Sequence, residues 1–245
     1  MKILSDKMQI KFDPNIIFDK KKIRFTALFD PEDLYHYEYI PDTEKIITRL
    51  NYCQTEYNDD DQTSSKLKLV FFEDALDHFL RVFRVLQYSR GNAMLIGIEG
   101  LGKQSLTKLA SHILGYQLKE LESRQGFTVE TFKAWLRENV LNPCAGPDAA
   151  KTGKPLTFVI VDNQINDDLI LEMINNLLNS GEIPNLFPQE DKEKLIANLA
   201  PVVTSSSESI DNNGVYRRYI ERIRNNLHII MCMSPIGEKL RVRCR

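Results

Sequence analysis

The chain has 245 residues, four cysteines and a formal net charge of −2, with a pI near 6.1. That balance excludes a general nucleic-acid binder, which would carry a clear basic excess, and no apolar run approaches the ~20 residues needed to cross a bilayer. Cys53, Cys144, Cys232 and Cys244 lack C-x-x-C or Cys/His spacing, so they read as reduced thiols rather than a disulfide framework or a zinc site. With no signal-peptide core in residues 1–7, the protein is expected to be soluble and intracellular, long enough for one large domain or two small ones.

The first 66 residues carry the weakest signals. Ile23 to Phe29 reads as a strand closed by Asp30-Pro31. A helix is expected between Asp42 and Tyr57, with Ile46, Ile47 and Leu50 on one side, and Asp59 to Ser65 as a polar connection. Leu69-Val70-Phe71 leads into a helix whose apolar side holds Phe72, Leu76, Phe79, Leu80, Phe83 and Leu86. Glu73 and Asp74 fall in its first turn, where the helix dipole favours negative charge. Such a helix either helps to enclose a nucleotide base or serves core packing alone.

Asn92 to Leu106 is the stretch on which the rest is organised. It reads as a short buried strand, a glycine-rich turn and a helix with Leu106, Leu109, Ala110, Ile113 and Leu114 on one face. Gly97, Gly102 and Lys103 stand at the spacing G-x-x-x-x-G-K. Glycines let several backbone N–H groups converge on one anion, and the helix N-terminus and the Lys add positive charge. Where a magnesium-ligating Ser or Thr normally follows the Lys, this chain has Gln104. Ser105 comes next but is turned about 100° around the helix. Glu99 adds a carboxylate inside the loop, which repels phosphate unless it points outward.

Further along, Gln117 to Leu121 reads as a second strand. Thr128 reads as the N-cap of a helix carrying Val129, Phe132, Leu136 and Val140. Asn142 to Lys154 reads as a loop, and its Lys151-Thr152-Gly153-Lys154 is a decoy because a strand follows it rather than a helix. Leu156 to Asp162 is an apolar run ending in an acid, as in a buried parallel strand that carries a magnesium-holding Asp to the sheet's carboxyl edge. Asn163 then replaces a water-activating acid by an amide that accepts no proton. Gln164 is placed to orient a water, as glutamine does in some GTPases.

A helix over Asp168 to Ser180 ends at Gly181, and residues 185–214 read as an irregular insertion. Val215 to Asn226 reads as a basic helix whose Arg217, Arg218, Arg222 and Arg224 form a solvated or subunit-facing surface. Leu227 to Ser234 reads as a strand lying between the other two; His228 is structural, and Ser234 either faces a γ-phosphate or simply ends the strand. Arg241, Arg243 and Arg245 make a charged surface or an arginine finger.

This order of parts resembles an AAA+ module. Leu69 to Ala75, Gly100 to Leu106, Asn179 to Pro184, Ile220 to Leu227 and Cys232 to Gly237 are similar to the fourth AAA+ module of dynein heavy chains. Asn163 is closer to the axonemal than to the cytoplasmic type. The resemblance implies an α/β P-loop NTPase fold with a parallel 5-1-4-3-2 sheet lacking its fifth strand. It implies residues 1–66 as linker and extension from the preceding module, and 67–245 as a nucleotide-binding large domain incomplete at its C-terminus. The first strand is then left with an exposed edge.

It further implies ATP or ADP with Mg2+ held by Val70, Gly97, Gly100, Leu101, Gly102, Lys103, Gln104 and Ser105. Gln104 and Asp162 lie at the metal. Asp162, Asn163, Ser234, Arg243 and Arg245 form the catalytic or sensing set. Glu99 and Leu101 depart from the small residues usual there, which weakens the expected binding. The implied setting is the axoneme of a cilium, in the cytoplasmic cytoskeleton. Neighbouring modules are the direct partners, microtubules act through other parts of the parent, and intermediate and light chains are met indirectly. No nucleic acid or membrane partner is implied. Two rival readings are a nucleotide-free spacer of the ring and a free-standing small P-loop NTPase.

Overall fold

Leu156–Val161 and Leu227–Met233 are nearly unbroken apolar runs, and such runs are stable as strands only when both faces are covered. The structure, a computed structural model, describes residues 24–29, 36–60, 65–121, 128–149, 152–165, 167–203 and 210–235. The elements in chain order are β1 (Phe25–Thr26), β2 (Glu38–Tyr39), α1 (Thr43–Asp59), α2 (Glu73–Gln87), β3 (Ala93–Ile96), α3 (Lys103–Ile113) and β4 (Gln117–Glu120). They continue with α4 (Val129–Leu136), α5 (Asn142–Ala145), β5 (Leu156–Val161), α6 (Asp168–Asn179), α7 (Gln189–Val203), α8 (Asn212–Asn226) and β6 (Leu227–Met233).

β3, β6, β5 and β4 lie side by side in that order, every neighbouring pair parallel. This is the expected 1-4-3-2 portion of the AAA+ order, with no fifth strand among the described residues. Alternation along the strands feeds two cores. Phe158, Ile160, Ile229, Met231 and Met233 join α4 to α8 on one face. Val159, Ile230 and Cys232 join α1, α2 and α3 on the other.

The second core draws heavily on residues before 67. Leu28, Ile40, Ile46, Leu50, Cys53 and Tyr57 are buried with Leu76, Phe79 and Leu109. Arg24, itself buried, pairs with Asp77 at 2.8 Å and donates to the Thr43 hydroxyl at 2.9 Å. The expected strand from Ile23 to Phe29 is reduced to a two-residue antiparallel pairing with β2.

The structure corrects several other expectations. β3 is not a buried strand. Met94 and Ile96 are exposed while Ala93 and Leu95 pack on the second core, because among the described residues β3 is the sheet edge and only one of its faces is covered. Phe72 is exposed, because it caps α2 in extended conformation and so escapes the helical periodicity. Within the expected irregular insertion 185–214, residues 189–203 instead form α7, which buries Leu195, Leu199 and Val203 at every fourth position, while 204–209 lie outside the described residues. Pro201 lies inside the helix, near its end, where it removes one N–H donor from the final turn. The arginines of α8 are not all at the surface: Arg222 is buried and donates to the Gly146 carbonyl at 3.1 Å, and Arg218 donates to that of Val203.

His228, at the amino end of β6, is structural as expected. It is buried, stacks on Tyr116 with ring centroids 5.2 Å apart, and its Nδ1 lies 2.8 Å from the Gly91 carbonyl. A carbonyl only accepts, so Nδ1 carries the proton. Burial holds the His228 pKa below the ordinary 6.5, outweighing the Gly91 carbonyl, which raises it. Below 6.5 the unfolded chain therefore binds a proton that the folded chain refuses. Stability present above that value is lost as the pH falls towards the lower folded pKa. His228→Phe keeps the ring against Tyr116 and is expected to flatten the loss of stability as the pH falls from neutral to below 6.5. It should also cost about 1 kcal/mol at neutral pH through the Gly91 carbonyl. Urea melts of both chains across that range check this, and an equally steep decline in the variant would refute it.

Candidate functional site

Because the strands of the sheet are parallel, their carboxyl ends share one edge. Ile96 is in register with Met233, and Val161 with Cys232. Gly97, Ser234 and Asp162 therefore follow directly from the ends of three adjacent strands, with β6 in the middle. Gly97 N–H donates to the Met233 carbonyl at 3.1 Å, fixing the loop's first residue to that central strand. Two strand spacings put Gly97 and Asp162 about 10 Å apart.

The loop leaves β3 through Gly97 and turns into α3 through two left-handed residues, Gly100 at φ +86° and Gly102 at φ +76°. Those angles strain any side chain with a Cβ. A Cβ at Gly97 would lie 3.3 Å from Leu101 Cδ1 and 3.8 Å from Lys103 Nζ, so a side chain there would intrude on the space around the ammonium. Lys103 opens α3 and folds back over the loop, its Nζ donating to the carbonyls of Gly97 at 2.6 Å and Ile98 at 2.8 Å. Glu99 and Leu101 are exposed, while Gln104 and Ser105 are half-buried in the first turn. Cys232, beneath the loop, is pushed up to about 11 by burial against the downward pull of the Lys103 ammonium.

The loop is braced by the segment before α2, held by side chains of α1 that carry no sequence signal for this role. Asn58 on α1 holds both the N–H and the carbonyl of Leu67, at 2.7 and 3.0 Å, and Gln54 accepts from Leu69 N–H at 2.8 Å. So held, Leu69 lies against the loop, 3.4 Å from where a Cβ at Gly102 would stand. Val70, the expected contact, is largely exposed beside it.

At the far strand, Asp162 is half-buried and opens a 3-10 turn with an exposed Asn163. Gln164 is not available to orient a water. Its Oε1 accepts from Val161 N–H at 2.8 Å and its Nε2 donates to the Leu121 carbonyl. Ser234 follows β6, half-buried, as the strand register requires. Arg243 and Arg245 lie outside the described residues, as does Cys244. A cleft lined by Arg90, Asn92, Leu177, Ile223 and Arg224 lies at the amino ends of β3 and β6, away from these groups. Enclosure alone is thus a poor guide here, and convergent chemistry marks the carboxyl edge instead.

The residues fit a polyphosphate with magnesium. Backbone amides at a glycine turn, a helix N-terminus and an ammonium suit the anion. An Asp and an amide oxygen are hard donors suited to a cation that keeps most of its waters and needs few protein ligands. Among the described residues no three His, Cys, Asp or Glu side chains cluster as a closed metal cage.

The family described as P-loop containing dynein motor region D4 matches residues 67–245. The chain is 41% identical over 211 residues to dynein axonemal heavy chain 6 of Homo sapiens, covering 85% of this chain and 5% of that protein. It is 38% identical over 223 residues to dynein axonemal heavy chain 8 of Mus musculus, covering 87% and 4%. It is 34% identical over 213 residues to dynein axonemal heavy chain 1 of Rattus norvegicus, covering 87% and 4%. The chain thus spans only 4–5% of the length of the relatives it matches.

Proposed function

Since the chain belongs to the family of P-loop containing dynein motor regions, we propose that residues 67–245 form the nucleotide-binding large domain of the fourth AAA+ module in an axonemal dynein heavy chain. Residues 1–66 join it to the preceding module. Its role is regulatory: it binds ATP or ADP with Mg2+ and turns it over slowly, within a microtubule motor of cilia or flagella. The observation that supports this best is the Lys103 ammonium, seated over a glycine loop at a helix N-terminus on the carboxyl edge of a parallel sheet.

In this reading Lys103 neutralises the β- and γ-phosphates, and the amides of Gly100 to Gln104 cradle them. Val70 and Leu69 lie on the nucleotide's flank. Asp162 and Gln104 face the magnesium, with Ser105 close by; when bound, the cation offsets phosphate charge. Ser234 senses the terminal phosphate. Asn163 accepts no proton, so water activation is slow. Arg243 and Arg245 face a neighbouring module.

The test is a titration of the full chain with ATP and ADP. Saturable binding is expected, and its absence would leave the second reading, a nucleotide-free spacer. That reading draws on Glu99. Because Glu99 is exposed, solvent screens it, and Glu99→Gln is expected to tighten ATP binding only about two- to fivefold. A gain of several hundredfold would mean that the native loop is disabled.

A further inference from the structure

Backbone pairing between β4 and β5 stops short of Asp162. Leu121 N–H donates to the Val159 carbonyl at 3.4 Å, the last rung of that ladder. In a parallel pair the next rung runs from Val161 N–H to the Leu121 carbonyl. The structure puts the Gln164 amide into that rung: Oε1 accepts from Val161 N–H at 2.8 Å, and Nε2 donates to the Leu121 carbonyl. A carboxamide carries the same donor and acceptor as a peptide group, so it lengthens the rung without leaving either end unmade. The turn between is closed by Ile165 N–H donating to the Asp162 carbonyl at 3.3 Å. Asp162 thus sits in a loop pinned at its root, Val161, and at its end by one side chain.

We propose that Gln164 is a positioning residue for the magnesium-linked part of nucleotide binding. By splicing its amide between the ends of β4 and β5, it sets the place and direction of the Asp162 carboxylate. The inference rests on the nucleotide-binding reading above. Magnesium demands near-octahedral geometry, so a carboxylate that wanders by about 1 Å stops contributing. Phosphate binding by Lys103 and the loop amides is built on β3 and α3, on the far side of β6, and does not depend on the splice. The two contributions are therefore separable.

The experiment measures a fluorescent ATP analogue binding to the full chain, once in EDTA and once in saturating Mg2+. Gln164→Met fills the same space without an amide; Gln164→Glu keeps the acceptor for Val161 but not the donor to Leu121. Asp162→Asn is the reference. Both Gln164 variants are expected to bind within about twofold of wild type in EDTA, while the tightening by Mg2+ falls about tenfold, as for other groups that orient a metal ligand. If Gln164→Met and Gln164→Glu keep the full tightening while Asp162→Asn loses it, the proposal is overturned and the nucleotide reading stands. Equal losses in EDTA and Mg2+ would show a structural role only and likewise overturn it. If wild type binds in neither buffer, both fall together.

Discussion

Replacing Lys103 with alanine is expected to weaken ATP binding by about 10- to 100-fold while leaving the fold nearly as stable as before. The asymmetry follows from what the ammonium touches. Within the chain it donates to two neutral carbonyls, those of Gly97 and Ile98, on a loop open enough for water to take its place. Such bonds contribute little net, because water replaces them. Against a polyphosphate the same group meets full negative charge, where charge-assisted hydrogen bonds are about twice as strong and no water is equivalent. Binding isotherms and urea melts of Lys103→Ala beside wild type make the comparison. A chain that loses stability but keeps its affinity would mean that the ammonium merely pins the loop, and the nucleotide assignment would lose its main support.

The same contrast between local and distant partners explains what could be read from the sequence. β5, β6 and α3 were legible because their causes are local: unbroken apolar runs for strands covered twice, and Leu106, Leu109 and Ala110 at helical spacing. The placement of β6 between β3 and β5 is what the resemblance to an AAA+ module implies, and the position of Gly97, Asp162 and Ser234 on one edge follows once all strands run parallel. What escaped was set by partners far away in the chain. The exposure of Met94 and Ile96 depends on which helices cover which face. Arg222 looks like a surface cation until the Gly146 carbonyl, 76 residues away, is seen to receive it. Gln164 looked like a water ligand because its partner at Leu121 lies 43 residues back. The bracing of Leu67 and Leu69 by Asn58 and Gln54 is similarly invisible, since amides on a helix face announce no particular acceptor. α7 was hidden by its polar first turns and by Pro201, both tolerable in a helix that buries one narrow stripe.

The largest loss of stability is expected at Phe79, and its consequences should reach the loop. The ring is fully buried on α2, edge-on to Phe71 at 6.2 Å and stacked with Phe83 at 5.9 Å. Phe79→Ala removes the transfer energy of a whole aromatic side chain and leaves a cavity that fixed helices cannot close. The cost should be about 3–5 kcal/mol, against a typical domain stability of roughly 5–15 kcal/mol. Phe71 is two residues from Leu69, which lies against Gly102, and α2 packs directly on α3. A looser Phe71 therefore frees the brace beside the loop, and ATP affinity should fall several-fold even under conditions where the variant remains folded. Phe72 provides the control, because it caps the same helix and yet is exposed. Phe72→Ala should change stability by no more than about 0.5 kcal/mol. Urea midpoints at unchanged m-value separate the two. Equal effects at Phe72 and Phe79 would mean that α2 is rotated from the orientation described, and with it the support of α3 and the loop.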